Sequence, residues 1–160
     1  MAEDGRSSNF SFEANNTPSY NKDLATLQSE GWVTSNGVLA PEHDAAYYHW
    51  GVDWRMPTLD EQTALVDNCD WEWTTKNGVN GWIVRGRGDY AANCIFLPCA
   101  GYGDGTSLRN SGSYGNYWLS VPFWDDSNAW AFIFNSDSHG AYDFSYDYGR
   151  SVRPVQSPAE

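Results

Sequence analysis

Aromatic side chains, more than aliphatic ones, have to build the interior of this chain. They make up 16% of its 160 residues, and nine of them are Trp. Large rings bury wide areas and hold loop-rich folds together with little regular structure. Two runs show where they act. In "AWAFIF" Trp130, Phe132 and Phe134 fall on one face of a strand, and Ala131, Ile133 and Asn135 on the other. The aromatic face reads as core and the other as outward; a strand covered on both sides is the alternative. In "AYDFSYDY" Tyr142, Phe144, Tyr146 and Tyr148 share one parity, with Ala141, Asp143, Ser145 and Asp147 between them. Its Asp and Ser content suits a displayed surface as well as an interior.

The length bounds one domain with a real core, and fifteen Gly and seven Pro point to many turns. A formal net charge of −12 repels phosphate, which argues against nucleic acid and anionic membrane surfaces as partners. No apolar run approaches the roughly 18 residues that cross a bilayer, so no membrane insertion is expected. Met1 to Ser8 carry no signal-peptide core. The three cysteines, Cys69, Cys94 and Cys99, are an odd count, which leaves at least one unpaired within the chain; a Cys94–Cys99 bridge stays open. His43, His49 and His139 lack zinc-site spacing.

Along the chain, residues 1–20 read as a flexible polar arm, residues 21–156 as the folded domain and 157–160 as a tail. "NKDLATLQSE" before Gly31 is a short amphipathic helix, and "PEHDAAYYHW" before Gly51 is a second. Thr58 and Glu61 have capping-box spacing at the head of a third, Leu59 to Asp67, which should bury Leu59, Leu65 and Val66. "WEWTTKNGVNGWIVRG" is a hairpin turning at Asn77-Gly78. Residues 94–98 form a short strand, 101–115 a long Gly/Ser loop, and 117–121 and 129–134 further strands. The fold class is therefore α+β and loop-rich, with short helices early and small twisted antiparallel sheets late.

Chemistry-bearing motifs are sparse. "FWDDSN" (123–128) offers oxygen ligands for calcium, but Asp-Asp-Ser-Asn is also ordinary turn chemistry. No other cofactor is indicated. The adjacent rings of Phe123 and Trp124 suit a contact anchor at a loop tip. His139 reads as a surface loop histidine, and no G-x-S-x-G elbow accompanies it.

The motifs "WRMPT" followed by a helix, "FLPCAGY", "GSYGNYW" and "SVRPV" resemble those of the Fibrobacter succinogenes major paralogous domain over roughly residues 24–156. That family is similar to the formylglycine-generating-enzyme branch of the C-type lectin fold. Part of this fold resembles the variable proteins of diversity-generating retroelements, whose C-terminal codons are mutated at adenines. Such codons yield Phe, Tyr, Ser, Asp, His, Gly, Ala, Val, Ile or Leu, and never Lys, Glu, Gln, Met or Trp. From Ala131 to Tyr148 none of those five types occurs. Trp124 cannot arise this way and would be templated.

The resemblance implies a C-type lectin-like scaffold with no catalytic activity. It implies a binding surface at Leu119, Val121, Phe123, Trp124, Asp126, Asn128, Ala131, Ile133, Asn135, His139, Ala141, Tyr142, Asp143, Phe144, Tyr146 and Tyr148. The implied partner is a protein or glycan, met outside the cell, at the cell surface or from a phage tail. A surface adhesin of fixed specificity is the competing reading. A formylglycine-generating oxidase is disfavoured, since it needs a late cysteine pair and no Cys follows Cys99.

Overall fold

The computed structural model describes residues 11–125 and 127–157. Expectations for residues 1–10, Asp126 and residues 158–160 lie outside the described residues. Helix α1 spans Leu24–Ser29, because the Asp23 carboxylate accepts from the Thr26 N–H at 2.7 Å and Gly31 (φ +82°) ends it. The expected second helix is broken in two. A 3-10 turn (Pro41–His43) stops at Asp44, which then caps α2, Ala45–Trp50. Asp44 is buried; one oxygen accepts from Ala46 N and Tyr47 N, and the other accepts from Met56 N at 2.8 Å. Three backbone donors thus satisfy the acid that interrupts the run.

Strand β1 (Trp54–Arg55) leads into α3, Leu59–Asn68. The Thr58/Glu61 capping box forms, and Arg55 grips Glu61 with two nitrogens at 2.5 and 2.6 Å. That grip, above all, holds the Glu61 carboxyl down at about 2. Leu59, Leu65 and Val66 lie half-buried against the core, and the sealed position of the helix is Gln62.

Strands β2 (Cys69–Lys76), β3 (Val79–Gly86) and β4 (Cys94–Pro98) form one antiparallel sheet. Its first hairpin turns on Asn77 and Gly78, both at positive φ, as a type I′ turn requires. The expected long loop holds a small hairpin instead, β5 (Tyr102–Asp104) with β6 (Ser107–Arg109). A second three-stranded sheet follows: β7 (Gly115–Pro122), β8 (Asn128–Phe134) and β9 (His139–Ser145), with β8 in the middle. Strand β10 (Val155–Gln156) closes the domain on β1. The architecture is α+β, and among the described residues no helix is long and apolar enough to cross a membrane.

The core lies between the two three-stranded sheets and α3. Val84, Leu97, Cys99, Tyr117, Leu119, Phe132 and Phe134 are its buried members, bordered by Trp71, Trp73 and Trp82. Phe134 stacks on Tyr117 (5.8 Å between centroids), and Phe132 lies 5.7 Å from Trp71. Cys94 and Cys99 stand about 16 Å apart by extended-chain geometry, too far for a disulfide, and all three thiols are free.

The N-terminal segment also departs from expectation. From Ser11 onward it docks rather than dangles. Phe12 exchanges two backbone hydrogen bonds with Gly105, and its ring lies on Gly103 and Gly149. Those two glycines pair with each other at 2.7 and 3.0 Å, and the absent side chains make the slot for the ring.

Gly115 has the same role deeper in the core, since a Cβ there would enter the Phe134 ring. Gly115→Ala is therefore expected to cost about 1–3 kcal/mol, read as a lowered urea midpoint with an unchanged m-value.

Candidate functional site

Cross-strand pairs share a face, so the register of β7–β8–β9 sorts the side chains. Tyr117, Phe132 and Ala141 form one row, with Phe134 and His139 beside it, and this face meets the first sheet. Trp118, Ala131 and Tyr142 form a row on the opposite face, with Ile133 and Phe144 flanking it. On this second face Tyr142 is 53% exposed, while Ile133, Phe144, Tyr146 and Tyr148 are half-buried.

Several expected surface residues face inward. Leu119 is 2% exposed and belongs to the core. It follows Tyr117 by two residues and shares that core-facing side, the parity opposite to the expected one; beyond it β7 is irregular, since Trp118 pairs with Ala131 but Pro122 with Ala129, two extra residues on β7. Alternation is lost over that stretch, and Ser120 is buried as well, its N–H donating to Pro57 O at 2.9 Å. Ala131 is fully buried, because its neighbours across both strands are Trp118 and Tyr142, rings far taller than a methyl. Ala141 packs on the core. Asn135 shapes its own turn, its side-chain oxygen accepting from Asp137 N and Ser138 N, while its carbonyl accepts from Trp82 Nε1 at 2.8 Å.

His139 is not a surface loop residue either. Its ring stacks on Trp71 at 4.3 Å and meets Trp82 edge-on at 5.5 Å. Burial pushes its pKa down. Its Nδ1 is buried without an acceptor, so a second ring proton would be a stranded donor.

At the open end of the sheet, Trp124 is 75% exposed and stands against Phe123, which in turn packs edge-on against Trp130. Asn128 Nδ2 bridges the carboxylates of Asp125 (3.3 Å) and Asp143 (3.0 Å). Asp125 also accepts from the N–H groups of Ser127 and Asn128. Asp125 thus closes a turn, and among the described residues no group of three or more His, Cys, Asp or Glu is placed to hold a metal ion.

On the Trp118 face the organising residue is one that periodicity does not reveal. The Arg150 guanidinium carbon lies 4.2 Å from the Phe144 ring centre, 4.8 Å from Trp118, 5.5 Å from Tyr102 and 5.6 Å from Tyr148. Its Nη1 donates to Asn116 Oδ1 at 2.5 Å. Each ring contributes about 0.5–2 kcal/mol, while removing a charge from water costs several kcal/mol. The balance is incomplete: burial pushes the Arg150 pKa down to about 10. Beside the cage opens a cavity of about 320 Å³ lined by Leu27, Trp32, His43, Trp118, Ala129 and Tyr146. Tyr146 lends it a buried hydroxyl without a partner, whose pKa burial raises to about 12. Tyr102, Trp118 and Arg150 come from three distant segments, so only their meeting marks them.

The half-buried His139, its pKa lowered by burial, sets a pH dependence. A lowered folded-state pKa stabilises the fold fully above the unfolded value of about 6.5, and that stabilisation is lost as pH falls below it. Denaturant melts between about pH 7.5 and pH 5 should show this loss, and it should be smaller in His139→Phe, which leaves the charge elsewhere unchanged. No protein family, curated protein or solved structure matches the chain.

Proposed function

We propose that this chain is a ligand-binding variable protein: a C-type lectin-like scaffold that displays a C-terminal surface diversified by a retroelement. The observation that carries the reading is the division of labour along residues 131–148. Phe132 and Phe134 are 1% exposed, whereas Ile133, Tyr142, Phe144 and Tyr146 all keep contact with solvent on other parts of the same segment. A surface open to replacement has to be separable from the core in this way.

The residue types support it. The segment lacks Lys, Glu, Gln, Met and Trp, and it offers Tyr, Asp, Ser and His, which in antibody loops supply rigid amphipathic contact and adaptable hydrogen bonds. Trp118 and Trp124, which adenine mutagenesis does not produce, fall outside the window. After the residues that face inward are set aside, the display set is Val121, Phe123, Trp124, Asn128, Ile133, Tyr142, Asp143, Phe144, Tyr146 and Tyr148. Its ligand is a protein or glycan surface met outside the cell.

Two measurements test the reading. Replacing Trp124, Tyr142 and Asp143 together by Ser should leave stability within about 1 kcal/mol, whereas Phe132→Ala should cost about 3–5 kcal/mol; thermal denaturation compares them. Sequencing the surrounding locus should find a near-identical template repeat beside a reverse-transcriptase gene. An isolated gene, with the display residues identical in sister isolates, would replace this reading with a fixed-specificity adhesin.

A further inference from the structure

Among the described residues Arg150 is a cation without an acid beside it. The chain carries 21 acidic and 9 basic residues, and Lys22, Arg55, Arg87 and Arg109 each pair with a carboxylate. Among the described residues no carboxylate reaches Arg150. Donors outnumber acceptors around it. Nη1 bonds to Asn116 Oδ1, Nε is buried with no acceptor, and the Asn116 amide nitrogen is buried with none on a side chain 3% exposed. The remaining nitrogen, Nη2, has no acceptor among the described residues, so the Nε/Nη2 edge of the guanidinium is unpartnered.

We propose that Arg150 is an anion receptor that takes a carboxylate of the ligand on that unpartnered edge. This rests on the binding reading above and names a chemical feature of what is bound. Four rings lie around the guanidinium, and its unpartnered edge carries the planar Nε/Nη2 fork, which matches a carboxylate's two oxygens. The net charge of −12 selects among anions: the protein's own field repels a dianion, such as a phosphate monoester or sulfate, more than a single carboxylate. Phe144 and Tyr148 lie at or within the end of the proposed variable window, and Tyr102 and Trp118 lie outside it. Half of the cage is therefore fixed framework, and the carboxylate is the constant part of recognition while the display residues change around it.

The competing acceptor is Asp147, whose Oδ1 is buried without a partner three residues before Arg150. The structure holds the two side chains apart, and the tests distinguish a ligand carboxylate from this internal one. Nitrogen-15-labelled protein is titrated with sodium acetate against sodium chloride at matched ionic strength, following the Arg150 Nε–H and Trp118 Nε1–H resonances. A saturable shift specific to acetate is expected. Asn116→Asp places a carboxylate against Nη1 and neutralises the guanidinium, so the acetate shift should vanish while Tm rises by about 2–4 °C.

Wild-type protein with no acetate-specific shift overturns the proposal, as does a shift that persists unchanged in Asn116→Asp. Acetate binding that emerges only in Asp147→Asn also overturns it, because Asp147 would then already fill the role. Acetate reports on Arg150 whether or not the surrounding residues are diversified, so failure here and failure of the template-repeat test are separate results.

Discussion

The displayed side of the β7–β8–β9 sheet depends on how firmly its other side is held. Phe132 and Phe134, on the central strand, meet Trp71 and Tyr117 across the interior. Burying one such ring is worth about 1.5–3 kcal/mol, and favourable ring–ring geometry adds about 0.5–1.5 kcal/mol. Net stabilities of whole domains are only about 5–15 kcal/mol, so a few of these contacts decide whether the sheet is placed at all. Trp82 extends the anchoring by donating to the Asn135 carbonyl, which ties the β8–β9 turn to the neighbouring sheet.

A second constraint fixes the far edge. Ser151 pairs with β7 on the side away from β8, its N–H donating to Asn116 O and its carbonyl accepting from Trp118 N, both at 3.0 Å. Arg150 is thereby carried onto the Trp118 face, where Tyr102, Phe144 and Tyr148 gather around it. Phe12, lying on the Gly103–Gly149 pair, clamps the same region from the N-terminal side. The face is thus assembled from chain segments around residues 12, 102, 118 and 144–150. The aromatic rings that hold its charge in place also supply its contact area.

Local signals were legible where a few neighbouring residues settle the conformation. The Thr58/Glu61 capping box, the Gly31 helix stop and the Asn77-Gly78 turn all formed, because each satisfies backbone donors or a positive φ within a four-residue reach. Parity was a weaker guide. It placed Phe132 and Phe134 correctly in the core, yet Leu119 and Ala131 were expected outward. Leu119 shares the core-facing side of β7 with Tyr117, two residues before it, and Ala131 was covered by rings on strands before and after it. His139 resembled a loop residue until Trp71 and Trp82, more than fifty residues earlier, closed around it. Asp44 broke a helix because Met56 N–H supplied a third donor from beyond that helix.

By itself the sequence determined an α+β chain built on aromatic packing, with its helix caps and hairpin turn in place, a strongly acidic surface and two alternating strands near the C-terminus. These follow from local stereochemistry and from what composition allows to be buried. Tertiary structure alone decided which side of those strands is open, which aromatics meet the Arg150 guanidinium, and that no acid among the described residues stands beside this cation. Burial and charge pairing are properties of groups that meet in space, and no spacing along the chain encodes a meeting of residues 102, 118, 144, 148 and 150.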